Sequence, residues 1–268
     1  MKPRIPKRII QIWGGGSELP LLARCAMTNV RLLNPDFEYL LFDDHRMEEF
    51  IKANCPEYLT LFHSFRFNVQ RYDFFRYLAV YHVGGFYFDM DVFLASNLSE
   101  LLDFDCVFPF EALTISTFLR EECKMDWELG NYAFGATAGH PFLRAVIENC
   151  VRAQKDQDWV ENMGKSIPRV LREEYHVLYT TGPLLVSRTL AEFPDAAKQV
   201  KVLFPEDVCD QKYWNRFGDF GVHLMGGSWR KPKGILRRRL KGFWQSFMWK
   251  KLSKVSLQSG KSRSLQFK

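Results

Sequence analysis

The sequence predicts an α/β protein built on one open, mostly parallel sheet. A strand pattern, a helix pattern and a second strand pattern follow one another within the first 42 residues, and no linker or internal repeat interrupts the chain before Trp229. The chain has 268 residues, of which 47% are apolar and 25% charged. A chain of this size buries a core that needs neither disulfides nor a structural metal.

The opening unit consists of a strand at 9–13, a helix at 21–33 and a strand at 37–42. The first strand reads Ile-Ile-Gln-Ile-Trp, a short apolar run that three glycines end. Apolar residues recur at three- and four-residue spacing through the helix, and Asn34-Pro35-Asp36 stops it.

A second unit combines a helix at 69–82 with a strand at 86–88. The glycines at 84 and 85 separate the two, since glycine ends a helix without steric cost. The later features are the segment 108–111, an apolar stretch at 132–138, helices at 141–153 and 182–193 and a strand at 200–204.

The net charge of +6 is unevenly distributed along the chain. Residues 229–268 hold thirteen lysines and arginines and no acid, which leaves 1–228 with 24 basic and 31 acidic residues, a charge of −7. We therefore expect a catalytic domain at 1–230 and a basic tail at 231–268.

The tail carries an apolar stripe at helical spacing beside its basic residues. The stripe consists of Leu236, Leu240, Phe243, Trp244, Phe247 and Met248. This pattern predicts an interfacial helix on an anionic membrane surface. In one alternative, the stripe packs on the body of the protein. Nucleic-acid binding ranks last, because no nucleic-acid module accompanies the arginines.

The cysteines favour a reducing compartment. They form no C-x-x-C pair and have no histidine at zinc-finger spacing, which disfavours a zinc module. No apolar run approaches the roughly 20 residues that a bilayer requires, and no leader sequence is visible. We expect a cytoplasmic protein, peripheral at the inner face of the cell membrane.

Two carboxylates form the most informative pattern. Asp89 and Asp91 follow the aromatic strand at 86–88, so they lie at its carboxyl end, where open α/β sheets bind ligands. Two oxygen donors there suit Mn²⁺ or Mg²⁺ with positions left for phosphate oxygens. The alternative is a pair of solvated acids that ends a strand.

Asp73 and Arg76 lie three residues apart on the preceding helix, hence on one face. A carboxylate and a guanidinium so placed suit sugar hydroxyls and a phosphate. The alternative is a surface ion pair worth a few tenths of a kcal/mol, about 0.2–0.5.

With these motifs in place, the sequence resembles the DXD-containing sugar transferases of glycosyltransferase family 32. That family includes yeast α-mannosyltransferases and bacterial proteins of capsule and surface-polysaccharide synthesis, and its core is similar to that of clostridial glucosylating toxins. The resemblance covers roughly residues 5 to 230. Its motifs are Ile5–Gly14, Asn34–Tyr39, Arg71–Asp91, Gly130-Asn131-Tyr132, Gly139–Phe142, Thr181-Gly182-Pro183 and His223 through Gly227-Ser228-Trp229.

The resemblance implies a GT-A type α/β fold, a single Rossmann-like mixed sheet flanked by helices. It implies that Asp91 ligates the metal and that Asp89 binds the donor sugar, the ribose or the metal. Asp73 and Arg76 are then expected to hold the donor sugar and orient the diphosphate.

Further roles follow from the same resemblance. Trp13 is expected to stack on the nucleotide base of the donor. The alternative is that Trp13 is part of the core. His223 is expected to complete the coordination of the metal. The alternative is that His223 has a structural role. Ser228 and Trp229 are expected to close over the diphosphate. Asn131 is a weaker candidate for contact with sugar or acceptor, and Glu111 is weaker still.

The implied reaction is retaining transfer of a hexose from a nucleotide sugar to a glycan or lipid-linked oligosaccharide. We favour a uridine donor, with GDP-mannose as the other option. Two rivals remain. A phosphohydrolase also uses D-x-D at a strand end, but it normally has Thr or Val where this chain has Phe93. A basic membrane adaptor without catalysis would rely on the tail alone.

Overall fold

The computed structural model describes residues 4–16, 18–114, 116–165 and 167–224. The predicted tail at 231–268 and the predicted site residues Ser228 and Trp229 lie outside these residues. No helix in the described part of the chain is both long and apolar enough to cross a bilayer. All six cysteines are free, as the sequence predicts.

The described residues form nine strands and ten α-helices. The strands are β1 (Arg8–Ile12), β2 (Glu38–Phe42), β3 (Gly85–Phe88), β4 (Val92–Leu94), β5 (Cys106–Leu113), β6 (Trp127–Leu129), β7 (Ala133–Ala136), β8 (Val200–Leu203) and β9 (Gly221–His223). The helices are α1 (Leu21–Leu33), α2 (Asp44–Asn54), α3 (Leu59–Ser64), α4 (Asn68–Val83), α5 (Thr117–Glu121), α6 (Pro141–Lys155), α7 (Gln157–Gly164), α8 (Arg172–Thr180), α9 (Pro183–Glu192) and α10 (Pro194–Ala197).

Seven of these strands form a mixed sheet with the order β2-β1-β3-β7-β5-β6, and β8 pairs with β5. β1 runs parallel to β2 and β3, and β8 runs parallel to β5. β7 is antiparallel to both β3 and β5, and β6 is antiparallel to β5. The single mixed sheet flanked by helices is therefore confirmed.

The expectation of a mostly parallel sheet is wrong beyond β3. β7 lies between β3 and β5 and runs antiparallel to both, so the run of parallel neighbours β2-β1-β3 ends there. The parallel arrangement holds for the opening unit, where α1 connects β1 to β2.

The core occupies both faces of the sheet because neighbouring strand residues point in opposite directions. Ile10 and Tyr87 belong to the cluster that includes the aromatic residues of α4, whereas Ile9 and Phe86 belong to the cluster that includes Val30 of α1. α4 is buried on nearly every side, from Gln70 to Val80.

A tight turn at Gly84 fixes α4 against β3. Its φ of +66° favours glycine, and a Cβ there would come 2.8 Å from Pro6 and 2.9 Å from the backbone nitrogen of Ala138. Because the chain reverses at this turn, the amino-terminal half of α4 lies beside the carboxyl end of β3. Asp73 and Asp89 therefore meet at one edge of the sheet.

Candidate active site

The two aspartates after β3 face a histidine from the end of the described chain. β4 pairs with β9 in a separate two-stranded sheet, with Val92 opposite His223. Nε2 of His223 lies 3.1 Å from Oδ1 of Asp91. One ligand atom from each of Asp89, Asp91 and His223 can be chosen so that all three lie within 4.8 Å of one another. The structure thus brings together the three residues predicted to hold a metal.

This triad is partly shielded from water. The side chains of Asp89 and Asp91 are 26% and 21% exposed, so they are not the freely solvated acids of the alternative interpretation. The imidazole of His223 stacks on Tyr132, with ring centres 4.4 Å apart and an interplanar angle of 21°. Among the described residues, its Nδ1 is buried without a hydrogen-bond partner.

The surroundings of His223 favour its protonated form in the absence of a cation. Burial lowers the pKa of His223, but the hydrogen bond with Asp91 and the charges of Asp89, Asp91 and Glu111 oppose it, and the net pKa is raised above 6.5. The same negative field favours a cation at the triad.

Arg76 joins the triad to α4. Its Nη2 lies 3.0 Å from Oδ1 of Asp73 and 3.2 Å from Oδ1 of Asp89, and its Nη1 donates to the carbonyl of Asn131 at 2.8 Å. The guanidinium also lies over the ring of Tyr87, 4.5 Å from its centre. Because the side chains of Arg76 and Asp73 are only 6% and 4% exposed, the surface ion pair of the alternative interpretation is wrong.

Asp73 is enclosed by donors. Besides Arg76, its carboxylate accepts from Asn131 at 3.2 Å and from the Thr181 hydroxyl at 2.9 Å. Burial raises the pKa of Asp73 to about 6, against the opposing influence of Arg76 and these hydrogen bonds. The Asn131 amide also donates to the Tyr77 hydroxyl at 2.9 Å. Asn131 therefore ties this buried network together, and its predicted contact with the donor sugar stays a prediction.

Sequence reasoning did not identify several residues of the network as site residues, and Tyr87 and Gln11 are two of them. Tyr87 donates its hydroxyl to Asp89 at 2.6 Å and covers Arg76, a role signalled only by one tyrosine between two phenylalanines on a strand. Gln11 is fully buried, accepts from the Tyr39 hydroxyl at 2.8 Å and donates to the Asp89 carbonyl at 3.4 Å. A glutamine inside an otherwise apolar strand is the signal that identifies it.

The remaining predicted residues lie around this centre. Trp13 is half-buried at the end of β1, and its role in base stacking stays a prediction. Glu111 approaches Gly130 so closely that a Cβ added there would lie 2.7 Å from its Oε2. Its charge contributes to the raised pKa of His223, after the larger effects already named.

The donor set fits a divalent cation. Two carboxylates and one imidazole leave coordination positions for other oxygens, as carboxylate sites for Mg²⁺ and Mn²⁺ do.

Comparison with known proteins agrees with this geometry. Residues 20–108 match the glycosyltransferase sugar-binding region containing a DXD motif. Inositol phosphoceramide mannosyltransferase 3 of Schizosaccharomyces pombe is 31% identical over 212 residues, which cover 75% of this chain and 51% of that protein. Mannosyl phosphorylinositol ceramide synthase CSH1 of Saccharomyces cerevisiae is 29% identical over 155 residues, 58% of this chain and 34% of that protein.

The chain spans about half the length of two Schizosaccharomyces pombe relatives that it matches, 51% and 54% of their lengths. Among solved structures, the PaToxG glycosyltransferase aligns over 74% of this chain and 75% of its own, with 16% identity and a TM-score of 0.48. The resemblance to the DXD-containing sugar transferases is confirmed. With Asp89 and Asp91 inside the matched region, the chain carries the sugar-binding region of a glycosyltransferase.

Proposed function

We propose that this protein is a metal-dependent, retaining hexosyltransferase that uses a nucleoside diphosphate sugar. The observation that carries the proposal is the convergence of Asp89, Asp91 and His223 within 4.8 Å at the end of β3, beside the buried guanidinium of Arg76. A pair of carboxylates next to a fixed positive charge suits a leaving group that carries two phosphates.

The ligand set favours Mn²⁺ over Mg²⁺. Mg²⁺ takes oxygen ligands and keeps much of its water, whereas Mn²⁺ shares this preference for carboxylates and, as a transition-metal ion, also accepts an imidazole such as that of His223. At this site a bound Mn²⁺ would supply positive charge for the diphosphate oxygens. Asp91, just before β4, and His223, at the end of β9, would hold it, and Asp89 would complete the protein ligands.

Arg76 supplies the second positive charge. Its guanidinium stays protonated at any working pH, and contacts with Asp73, Asp89 and Asn131 fix its orientation before substrate arrives. Its Nε is buried and has no hydrogen-bond partner among the described residues. A preorganised charge of this kind stabilises a developing diphosphate without reorganisation during the reaction.

Retention is what the resemblance to the DXD-containing sugar transferases implies, and we propose that it proceeds without a covalent enzyme intermediate. Asp89 and Asp91 face the metal position, so we assign neither to covalent attack on the sugar. The bond between the anomeric carbon and the diphosphate oxygen breaks, and the acceptor oxygen bonds to the same face of the sugar. The acceptor proton passes to the leaving diphosphate.

The named relatives direct the choice of sugar. They are mannosyltransferases in yeasts, so mannose is the first hexose to test, ahead of the uridine-linked sugars that the sequence favours. The acceptor we propose is a glycan or the polar headgroup of a lipid. Capsule synthesis, a cytoplasmic location and attachment through the basic tail remain proposals of the sequence.

A donor screen tests this function. GDP-mannose, UDP-glucose, UDP-galactose and UDP-N-acetylglucosamine are incubated with protein and Mn²⁺, and release of the nucleoside diphosphate is measured with and without EDTA. We expect one donor to be hydrolysed only with metal, and NMR to show the released sugar with retained configuration. Absence of hydrolysis and of thermal stabilisation by every donor would contradict the proposal, and an inverted product would contradict retention.

A further inference from the structure

A polar cleft of about 200 Å³ lies between α7 and α8, next to the loop that precedes α4. We call it the α7–α8 cleft. It is lined by Arg66, Gln157, Glu161, Gly164, Arg172, Glu173, His176 and Tyr179. None of these residues belongs to the metal triad or to the Arg76 network.

The charges of the cleft balance. Two arginines face two glutamates, and Arg66 pairs with Glu173 at 2.6 Å. A site for a phosphate or a nucleotide diphosphate would show an excess of cations. Alternating donors and acceptors instead suit a neutral molecule with many hydroxyl groups, which donates and accepts at each position.

The shape of the cleft depends on a glycine. Gly164 ends α7 without a positive φ, so its backbone does not require glycine. A Cβ there would lie 3.6 Å from the ring of Tyr179, in ordinary van der Waals contact. Any larger side chain at 164 would therefore extend over that ring, and glycine keeps the position above it open. The Tyr179 hydroxyl donates to the Arg172 carbonyl at 3.1 Å, which fixes the ring.

Two helices connect the cleft to the active site. On α8, His176 lies four residues before Thr180, about 6 Å along the helix at 1.5 Å per residue. The Thr180 hydroxyl accepts a hydrogen bond from the Gln70 side chain at 2.9 Å. The next residue, Thr181, donates to Asp73. On the other side, Arg66 lies just before α4, the helix that carries Asp73 and Arg76. His176, which lines the cleft, thus lies five residues before Thr181, which contacts the buried carboxylate of Asp73.

From this placement we infer that the α7–α8 cleft is the subsite for a hexose unit of the acceptor. The inference rests on the proposed function, because it assigns the acceptor class to that reaction. The volume is below the roughly 300–1,000 Å³ of sites for drug-sized ligands, which suits one monosaccharide unit rather than a nucleotide sugar. Glu161 and Glu173 would accept hydrogen bonds from the sugar hydroxyls, Arg66 and Arg172 would donate them, and the Tyr179 ring, 6% exposed, borders the space beside Gly164.

The experiment measures binding of three simple sugars to the full chain. Methyl α-mannopyranoside, methyl α-glucopyranoside and methyl β-galactopyranoside are titrated by ligand-observed saturation-transfer NMR, with and without GDP and Mg²⁺. The two exposed acids of α7 provide a matched pair, because Glu161 lines the cleft and Asp158 does not. We expect at least one hexoside to bind the wild type, Glu161→Gln to weaken it at least fivefold, and Asp158→Asn to leave it within twofold.

Gly164→Leu gives an independent test, because it fills the space above Tyr179 without removing an ion pair. Gly164→Leu should abolish hexoside binding while the melting temperature stays unchanged. If this substitution unfolds the protein, the comparison of Glu161→Gln with Asp158→Asn tests the inference instead. The inference is overturned if none of the hexosides binds the wild type, if GDP with Mg²⁺ displaces the bound hexoside, or if Glu161→Gln binds like Asp158→Asn. Failure of donor hydrolysis with hexoside binding intact would overturn the proposed reaction and not the sugar site.

Discussion

Nε2 of His223 lies 3.1 Å from a carboxylate oxygen of Asp91, although one residue follows β3 and the other ends the last described strand. The short sheet of β4 and β9 creates this contact by placing Val92 opposite His223. The Leu224 amide also donates to the Asp91 carbonyl at 3.0 Å. The metal centre that we propose is therefore closed by β9 and the last described residues of the chain.

Replacing His223 should weaken metal activation. In His223→Ala, we expect the Mn²⁺ concentration for half-maximal donor hydrolysis to rise at least tenfold, because one of three protein ligands is lost. Val222→Thr is the control, since Val222 is 40% exposed and lies next to His223 on β9. An unchanged metal requirement in His223→Ala would assign a structural role to His223.

Removing the charge of Arg76 should affect both folding and reaction. Arg76→Met leaves Asp73 buried without its cation, which costs about 3–5 kcal/mol of unfolding free energy for a buried pair. Arg152→Met breaks an exposed pair with Asp156 and should cost about 1 kcal/mol or less. Urea unfolding measures both values. Equal effects of the two substitutions would contradict the buried network.

A milder change at the same position separates the two effects. Arg76→Lys keeps a positive charge but not the planar fork that contacts Asp73, Asp89 and Asn131 at once. We expect kcat for donor hydrolysis to fall at least tenfold with the metal requirement unchanged. Steady-state kinetics at saturating Mn²⁺ provides the measurement, and a wild-type kcat would show that the orientation of the charge is unimportant.

The hydroxyl and the ring of Tyr87 should make separate contributions to stability and activity. Tyr87→Phe removes the 2.6 Å hydrogen bond to Asp89 and keeps the ring over Arg76, so we expect a loss of about 1–1.5 kcal/mol in stability and a three- to thirtyfold lower activity. Tyr87→Leu removes both contacts and should lower both the stability and the activity further than Tyr87→Phe does. Tyr81→Phe, at a half-buried tyrosine outside this network, is the control.

The metal-free protein should lose part of its stability as pH rises. The pKa of His223 is raised in the folded protein, which therefore holds this proton more tightly than the unfolded chain does. The resulting stabilisation is complete below the unfolded pKa of 6.5 and disappears as pH rises through the raised value. The unfolding free energy of wild type minus that of His223→Gln should decrease across this interval in EDTA. A difference that is constant or grows with pH would contradict the contacts drawn for His223.

Much of the site could be predicted because its residues lie close in sequence or within strong patterns. The pair of aspartates follows an aromatic strand, and α4 places Asp73 and Arg76 on one face. The same local patterns predict α1, α4, α6 and α9 within one or two residues at most ends.

The rest depends on distant contacts that no local pattern encodes. β4 and β9 are three residues each and form only because they pair with one another. Thr181 reaches Asp73 through the packing of α8 against α4, and Asn131 reaches it from the loop before β7. The helices α2, α7 and α8 were not predicted, because their exposed faces carry many charges and their apolar stripes are short.

Direct binding of Mn²⁺ to the protein tests the central claim most sharply. Electron paramagnetic resonance of free Mn²⁺ is followed as protein is added, for wild type, Asp91→Asn and Asp210→Asn, with donor hydrolysis measured on the same samples. Asp210 is the control because it pairs with Lys212 away from the triad. We predict one bound Mn²⁺ for wild type and Asp210→Asn, and loss of both binding and hydrolysis in Asp91→Asn. Equal Mn²⁺ binding and metal-dependent hydrolysis in folded Asp91→Asn would contradict the assignment of the metal centre.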